Sequence, residues 1–90
     1  MRFDWDRRKA ATNLRKHSVS FEEASTVFAD DRALTGGDPD HSVGEERFIT
    51  FGMSQNGRLL VVSHAERGDT IRIISARRAT RSERKLYEEE

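Results

Sequence analysis

The feature that most constrains the fold is a series of three apolar, β-branched runs in the C-terminal half of the chain. The first two runs are separated by Asn56-Gly57, a pair favoured in two-residue hairpin turns because both central residues need a positive φ. The second run contains four consecutive apolar residues, 59–62, as is typical of a strand in the middle of a sheet. The pattern therefore predicts an antiparallel meander. Its strands are residues 46–53, 58–66 and 70–77.

A first helix is predicted before this sheet. Asp4 or Asp6 can cap it, and it runs to about His17. Its apolar side is thin, because only Ala10, Leu14 and the ring of His17 recur at helical spacing. The sequence therefore predicts a surface helix with little to bury.

Two capping boxes predict the other helices. Ser20-Phe21-Glu22-Glu23 opens a second helix that ends near Asp30, and Thr80-Arg81-Ser82-Glu83 opens a C-terminal helix through Tyr87. Residues 1–5 alternate as a short first strand, and residues 33–35 form a candidate fourth. The predicted fold class is α+β, one domain over residues 1–90. In it two N-terminal helices pack on a three- to four-stranded antiparallel sheet, and a short C-terminal helix follows.

The core of such a domain must be small. Only 19 of the 90 residues are Leu, Ile, Val or Phe, close to the composition at which chains stop folding. Disordered chains of this kind usually carry a high net charge, whereas the formal net charge here is zero. We therefore expect a compact domain that gains stability from a partner.

Composition also excludes several classes of protein. The longest apolar run, residues 59–62, is far too short to span a membrane. The charged N-terminus is unlike a secretion signal. With no cysteine the chain has no disulfide framework, no zinc ribbon and no thiol nucleophile. These features favour a cytoplasmic protein without a metal or cofactor.

The zero net charge is a sum of unlike segments. Residues 1–20 carry +4, residues 21–46 carry −7, residues 47–87 carry +6 and the last three residues carry −3. Arg accounts for 13 of the 16 basic residues, and its planar fork suits phosphate better than the point charge of Lys. Two Arg-rich blocks predict a phosphate-facing surface if the fold brings them together.

Strand parity selects candidate residues in the last hairpin. On the third strand it places Ile71, Ile73 and Ser75 on one face, and Arg72 with Ile74 and Ala76 on the other. A mid-strand Arg needs an exposed face or a partner, because an unpaired buried charge is very costly. Several charged side chains gather around this hairpin and its ends. They are His64, Glu66, Arg67, Arg72, Arg77 and Arg78.

These residue types fit RNA cleavage. The RNA 2′-OH attacks the adjacent phosphorus, and a protein helps with a base, with cations for the phosphorane oxygens and with an acid for the leaving oxygen. Arginines supply the cations, His64 or Glu66 is the candidate base, and no metal is needed. The alternative is structural: His64 closes a strand, and Glu66 with Arg67 forms a solvated turn. Composition alone favours that alternative.

Two long strings in the chain are also familiar. Residues 3–31 contain W-D…K…N…K-H…V-x-F-E-E-A, and residues 58–88 contain R-I-I-S-A-R…E-R…Y-E. Both strings, in this order, closely resemble the BrnT family of bacterial toxins. The resemblance covers most of the chain except about residues 33–45.

The resemblance implies a RelE-like ribonuclease fold and the toxin half of a type II toxin–antitoxin pair. Such toxins inhibit translation by cutting RNA, in some cases on ribosomes, without a metal. The implied partner is a ribbon-helix-helix antitoxin, through which the complex binds operator DNA. The positions that match include a structural one, Glu83, and its neighbour Arg84. The other matching positions are Lys9, Lys16, His17, His64, Arg67, Arg72, Arg77 and Arg78.

Three hypotheses follow for the function. In the first, an endoribonuclease toxin uses a catalytic group of His64, Glu66, Arg67, Arg72 and Arg77. Its RNA path is lined by Lys9, Lys16, His17 and Arg78. In the second, a non-catalytic module binds nucleic acid through the Arg-rich sheet face. In the third, the same face only receives an acidic protein segment. An antitoxin that covers this face would block RNA by occupying the same charges.

Overall fold

The chain alternates short helices with the strands of one sheet, and the computed structural model describes residues 1–41 and 44–89. Two short 3₁₀ turns, Thr26–Ala29 and Pro39–His41, supplement the regular elements. In chain order these elements are β1 (Arg2–Asp4), α1 (Arg7–His17), α2 (Phe21–Ser25), β2 (Leu34–Gly37), β3 (Arg47–Met53), β4 (Leu59–Arg67), β5 (Thr70–Arg78) and α3 (Arg81–Glu88).

The sheet has five strands in the described part of the chain, in the spatial order β1-β5-β4-β3-β2. The predicted antiparallel meander is present as β3, β4 and β5. The prediction of a wholly antiparallel sheet with three or four strands is wrong, because β1 joins as an outer strand parallel to β5. Alternation identified the first strand but could not show its partner. Pairing Phe3 with Ile71 brings the Phe3 ring against the core.

Helix α1 covers the edge of β5 where β1 stops. Asp6 caps the helix by accepting hydrogen bonds from the amides of Arg8 and Lys9. The side chain of Asn13 is buried and exchanges two hydrogen bonds with the backbone of Ala76, at 2.8 and 3.0 Å. Leu14, predicted to face the core, is instead exposed. The buried contact of α1 is therefore largely polar, because a sheet edge needs hydrogen-bond partners.

The two predicted capping boxes differ in the structure. At α3, Thr80 and Glu83 exchange both hydrogen bonds, as predicted. At α2, Ser20 accepts from the amide of Glu23, but the Glu23 carboxylate turns away to Arg58 and Ser54. The second box is therefore only half formed, because a cation on the β4 side of the hairpin turn outcompetes the backbone amide.

The turn between β3 and β4 is not the predicted two-residue turn. Gly57 has φ of 79°, whereas Asn56 does not have a positive φ. The amide of Gly57 donates to the carbonyl of Ser54 at 2.9 Å, and Ser54 pairs with Arg58 across the hairpin. The loop therefore has three residues and needs a left-handed conformation only at its glycine.

The hydrophobic core lies between the sheet and the segment that contains α1, α2 and the first 3₁₀ turn. Gly52 of β3 shows how closely the layers approach, because an added Cβ would lie 2.9 Å from the Cβ of Val27. No helix within residues 1–41 and 44–89 is long and apolar enough to cross a membrane. The core consists of Val19, Phe21, Ala24, Val27, Leu60, Val62, Ile71, Ile73 and Ala76.

Candidate functional site

A β-bulge in β5 decides which side chains share a face. Ser63 of β4 pairs with Ser75, but the next residue of β4, His64, pairs with Ile73. Ile74 is therefore the extra residue, and the alternation of β5 changes phase at that point. The parity prediction is consequently wrong beyond Ile73: Ala76 is buried in the core, and Ser75 is exposed on the opposite side.

The bulge brings Arg72 and Arg77 to the same face of the sheet. Arg72 pairs with Ala65, and Arg77 pairs with Val61. Ala65 and Val61 are four residues apart on β4 and therefore point the same way. We call this side the open face, because it lies opposite the core and α1–α2. Its strand side chains come from Asp4, Leu34, Arg47, Ile49, Phe51, Met53, Leu59, Val61, Ser63, Ala65, Arg67, Arg72, Ser75 and Arg77.

The Arg67 and Arg77 guanidinium groups of the open face are held in two-point ion pairs. Arg67 donates to Glu45 at 2.6 and 3.0 Å, and Arg77 donates to Glu83 at 2.8 Å from each terminal nitrogen. The hydrogen bonds from Arg77 lower the pKa of Glu83 to about 2, and Arg67 likewise lowers the pKa of Glu45. Both carboxylates are therefore ionised near neutral pH, and they fix the orientation of the two guanidinium groups.

Arg72 is held more loosely. One terminal nitrogen lies 3.2 Å from a carboxylate oxygen of Asp4, and both side chains are partly exposed. A guanidinium has five donors, so a single contact leaves donors for another anion. Arg72 is therefore the arginine of the three that can most readily accept a phosphate.

Beside the open face, α1 and the bulge enclose a basic cleft of about 300 Å³. Lys9, Lys16 and His17, which the resemblance marks, lie together here, and none of the described acidic side chains lines the cleft. Arg8, which sequence reasoning missed, adds a fourth basic group. The exposed Ser75 belongs both to this cleft and to the open face. We call it the α1 cleft, and its lining is Arg8, Lys9, Thr12, Asn13, Lys16, His17, Ile74 and Ser75.

His64 is buried on the core side of the sheet. Its ring stacks on Phe48 and meets the edge of Phe28, with centroids 5.9 and 4.9 Å away. Nε2 lies 2.8 Å from the hydroxyl oxygen of Thr50, while Nδ1 is buried without a hydrogen-bond partner among the described residues. Burial lowers the pKa of His64 to about 4, so the ring is neutral at pH 7.

The structure therefore divides the residues selected from the sequence. Arg67, Arg72 and Arg77 lie on the open face, and Ser75 joins this face to the α1 cleft. His64, Glu66 and Arg78 lie on the other side, since they pair with Ile73, Ile71 and Leu60 of the core layer. Glu66 and Arg78 are exposed near the C-terminal ends of β4 and β5. Because these strands are antiparallel, the two residues lie at opposite ends of the hairpin.

The sequence did not predict which carboxylates and hydroxyls lie around the arginines. Glu83 was interpreted only as a helix cap, although it also binds Arg77. Ser75 was placed on the same face as Ile71 and Ile73, because parity cannot detect a bulge. Asp4 was considered only as a helix cap and Glu45 carried no local motif, and only the tertiary structure brings them to Arg72 and Arg67. Among the described residues, no three His, Asp or Glu side chains gather as a metal site would require.

Comparisons with known proteins agree with the resemblance in the two strings. A family model described as the ribonuclease toxin BrnT of type II toxin–antitoxin systems matches residues 5–83. The chain is similar in structure to the ribonuclease toxin BrnT of Brucella abortus, with a TM-score of 0.70 and 21% sequence identity. That likeness covers 90% of this chain and 99% of the other, and it shows the fold. No protein with a curated description matches the chain.

Proposed function

Because the chain belongs to the BrnT family of ribonuclease toxins of type II toxin–antitoxin systems, we propose that it cuts RNA on the open face without a metal. The observation that carries this proposal is the bulge at Ile74, which turns Arg72 and Arg77 toward the same side. Bulges that redirect a side chain are frequent next to active sites. In this account cleavage inhibits translation in the cytoplasm, with or without the ribosome.

The proposed reaction is a transesterification within the RNA. The 2′-oxygen forms a bond to the adjacent phosphorus, the bond from phosphorus to the 5′-oxygen breaks, and the products are a 2′,3′-cyclic phosphate and a 5′-hydroxyl. Negative charge builds up on the phosphorane oxygens, where fixed cations stabilise it most. Arg72 supplies free donors for these oxygens, and Arg77, held by Glu83, supplies a second positive charge on the same face.

His17 replaces His64 in this account as the imidazole that exchanges protons with RNA. A group that moves a proton must reach its substrate within hydrogen-bond distance. His64 is fully buried on the opposite side of the sheet, whereas His17 is exposed and lines the α1 cleft. We therefore assign His64 a structural role and exclude Glu66 from the site.

The α1 cleft extends the proposed site along the RNA. Lys9, Lys16 and Arg8 line it without a lining carboxylate, so a phosphate can bind there without displacing an internal partner. On the open face a phosphate must share Arg67 and Arg77 with Glu45 and Glu83. We therefore propose that the cleft strengthens RNA binding and that the open face accelerates RNA cleavage. Arg78, on the other side, is left out of the RNA path.

Family membership implies an antitoxin partner. On the resemblance, we propose that this antitoxin is a ribbon-helix-helix protein and that operator DNA binds only through it. A mobility-shift assay tests this, since the complex should shift its own promoter and the toxin alone should not.

A pair of neighbouring arginines gives the test of cleavage. Arg77 and Arg78 are adjacent in sequence but lie on opposite sides of the sheet. We expect Arg77→Ala, and likewise Arg72→Ala, to lower kcat by about 10²- to 10³-fold, since each removes charge stabilisation at the phosphorane. Arg78→Ala should retain nearly full activity. Cleavage is followed in EDTA with a labelled RNA, and the products are analysed for the cyclic phosphate.

Binding must be separated from cleavage in the same experiment. An RNA with 2′-deoxy substitutions binds but lacks the nucleophile, so its Kd reports affinity alone. If the parent protein binds this RNA yet cleaves no all-ribose RNA, the chain is a non-catalytic module. If Arg78→Ala loses as much activity as Arg77→Ala, the active site is not on the open face.

A further inference from the structure

An uncharged groove of about 390 Å³ lies between α3 and the outer strands of the sheet. Ile49 and Phe51 of β3 and Leu34 of β2 contribute apolar side chains, and Leu86 of α3 closes one wall. The backbone of Thr35, Gly36 and Gly37 completes the lining. The groove belongs to the same face as the arginines, because Ile49 and Phe51 are open-face residues.

The groove is uncovered in the isolated chain. Leu86 is 57% exposed, although leucine at a helix-to-sheet contact is ordinarily buried. On the far side, β2 is the last strand of the sheet, and a Cβ added at Gly36 or Gly37 would meet nothing within 4 Å. Among the described residues, none therefore blocks an occupant that enters from the outer edge of β2.

One row of side chains joins the groove to Arg77 of the proposed site. Phe51 pairs with Val61, and Val61 pairs with Arg77, so these side chains form one row across three strands. Neighbouring strands lie about 4.8 Å apart, which puts the groove about 10 Å from Arg77. A segment of three or four residues that starts in the groove can therefore reach the cations.

We propose that this groove is the docking site for an apolar side chain of the antitoxin, in a segment whose next residues are acidic. The apolar residue fills the space between Phe51 and Leu86, and a carboxylate shares Arg77 with Glu83. The inference rests on the antitoxin part of the proposed function. The apolar anchor would also cover surface that this chain, with its small core, leaves exposed.

The lining favours a protein over RNA as the occupant. No charged residue lines the groove, and Phe51 provides its only aromatic ring among the described residues. RNA recognition needs cations for the backbone and usually stacks bases on aromatic rings. Aliphatic side chains beside Phe51 instead suit the apolar anchor of a protein interface.

Two exposed leucines give a matched experiment. Leu86 lines the groove, whereas Leu14 of α1 is 51% exposed and lines neither the groove nor the α1 cleft. We expect Leu86→Ser to weaken antitoxin binding by roughly 10- to 100-fold, which is the effect of one buried leucine side chain. Leu14→Ser should bind like the parent. The Kd is measured by calorimetry with the purified antitoxin expressed from the adjacent reading frame, and circular dichroism checks both folds.

Every other outcome removes the proposal. Unchanged affinity of Leu86→Ser, or an equal loss in Leu14→Ser, means that the groove is not the docking site. If the parent self-associates while Leu86→Ser is monomeric and keeps its antitoxin affinity, the groove binds a second copy of this chain. If Leu86→Ser keeps its antitoxin affinity but binds 2′-deoxy-substituted RNA more weakly than the parent in a separate titration, the groove binds RNA. Because antitoxin affinity is measured without RNA, absence of ribonuclease activity would overturn the proposed chemistry and leave this comparison intact.

Discussion

The two faces of the sheet differ in how their polar side chains are buried and charged. On the core face, His64 is neutral, enclosed by Phe28 and Phe48, and hydrogen-bonded to one hydroxyl. On the open face, Arg67 and Arg77 keep their charge because carboxylates hold them and solvent reaches them. The same strand, β4, contributes residues to both faces. Chemical type alone therefore does not predict the environment of a polar side chain in this fold, because the face on which the residue lies decides it.

The largest effect on stability is expected where the two layers approach most closely. Gly52→Ala places a Cβ 2.9 Å from the Cβ of Val27, which is itself fully buried. Overpacking of this kind costs about 1–3 kcal/mol in the free energy of unfolding. Gly36→Ala, at the exposed groove, meets nothing within 4 Å and should change stability little. Urea denaturation compares the two, and equal stabilities would contradict the close packing of the core face.

A second, pH-dependent effect isolates His64. Its folded-state pKa of about 4 lies below the ordinary histidine value of 6.5, so the unfolded chain binds a proton more readily between these values. This contribution to stability is fully present above pH 6.5 and is lost as the pH falls toward 4, by at most about 1.4 kcal/mol per pH unit. His64→Gln, which does not titrate there, should flatten the slope between pH 6.5 and 5.

The measurement is the urea midpoint of the parent and of His64→Gln at pH 7.5, 6.5, 5.5 and 5.0. A parent slope equal to that of the variant would show that His64 is not buried as a neutral ring. RNA cleavage supplies the second readout, since a structural His64 predicts that the folded variant keeps its kcat at pH 7.5.

The smallest effect concerns the α1 cleft. Lys16→Ala removes one phosphate contact, so the slope of log K against log salt for single-stranded RNA should decrease in magnitude by about 0.7. Arg7→Ala changes the charge of the same helix equally but lies outside the cleft lining. The uncleavable RNA is titrated at several salt concentrations. Equal slopes for the two variants would mean that the cleft does not bind a phosphate.

The sequence predicted the elements better than the relations between them. Apolar runs and capping boxes identified β3, β4, β5 and α3, because these signals are local. The parallel partner of β1 and the buried role of Asn13 were not predictable in this way, since both depend on where a distant edge of the sheet lies. The first helix was expected to bury Leu14, and the unpaired backbone of β5 selected Asn13 instead.

The candidate site was predictable in its chemistry and not in its geometry. The excess of arginine and the family strings both pointed to phosphate. Parity alone would have put Arg72 and Arg77 on opposite faces, and one extra residue, Ile74, reverses that result. His64 was chosen because imidazole is the usual proton carrier, but no sequence pattern reveals that two phenyl rings enclose it. His17, in a basic helix, was marked only by the resemblance.

RNA is proposed to bind on the side of the sheet that carries Arg72 and Arg77. Side-chain NMR of the arginine Nε–H groups and the histidine rings, during titration with 2′-deoxy-substituted RNA, tests it most directly. The signals of Arg72, Arg77 and His17 should shift in proportion to bound RNA, while those of Arg78 and His64 should stay in place. Shifts at Arg78 and His64, with Arg72 and Arg77 unaffected, would contradict the account.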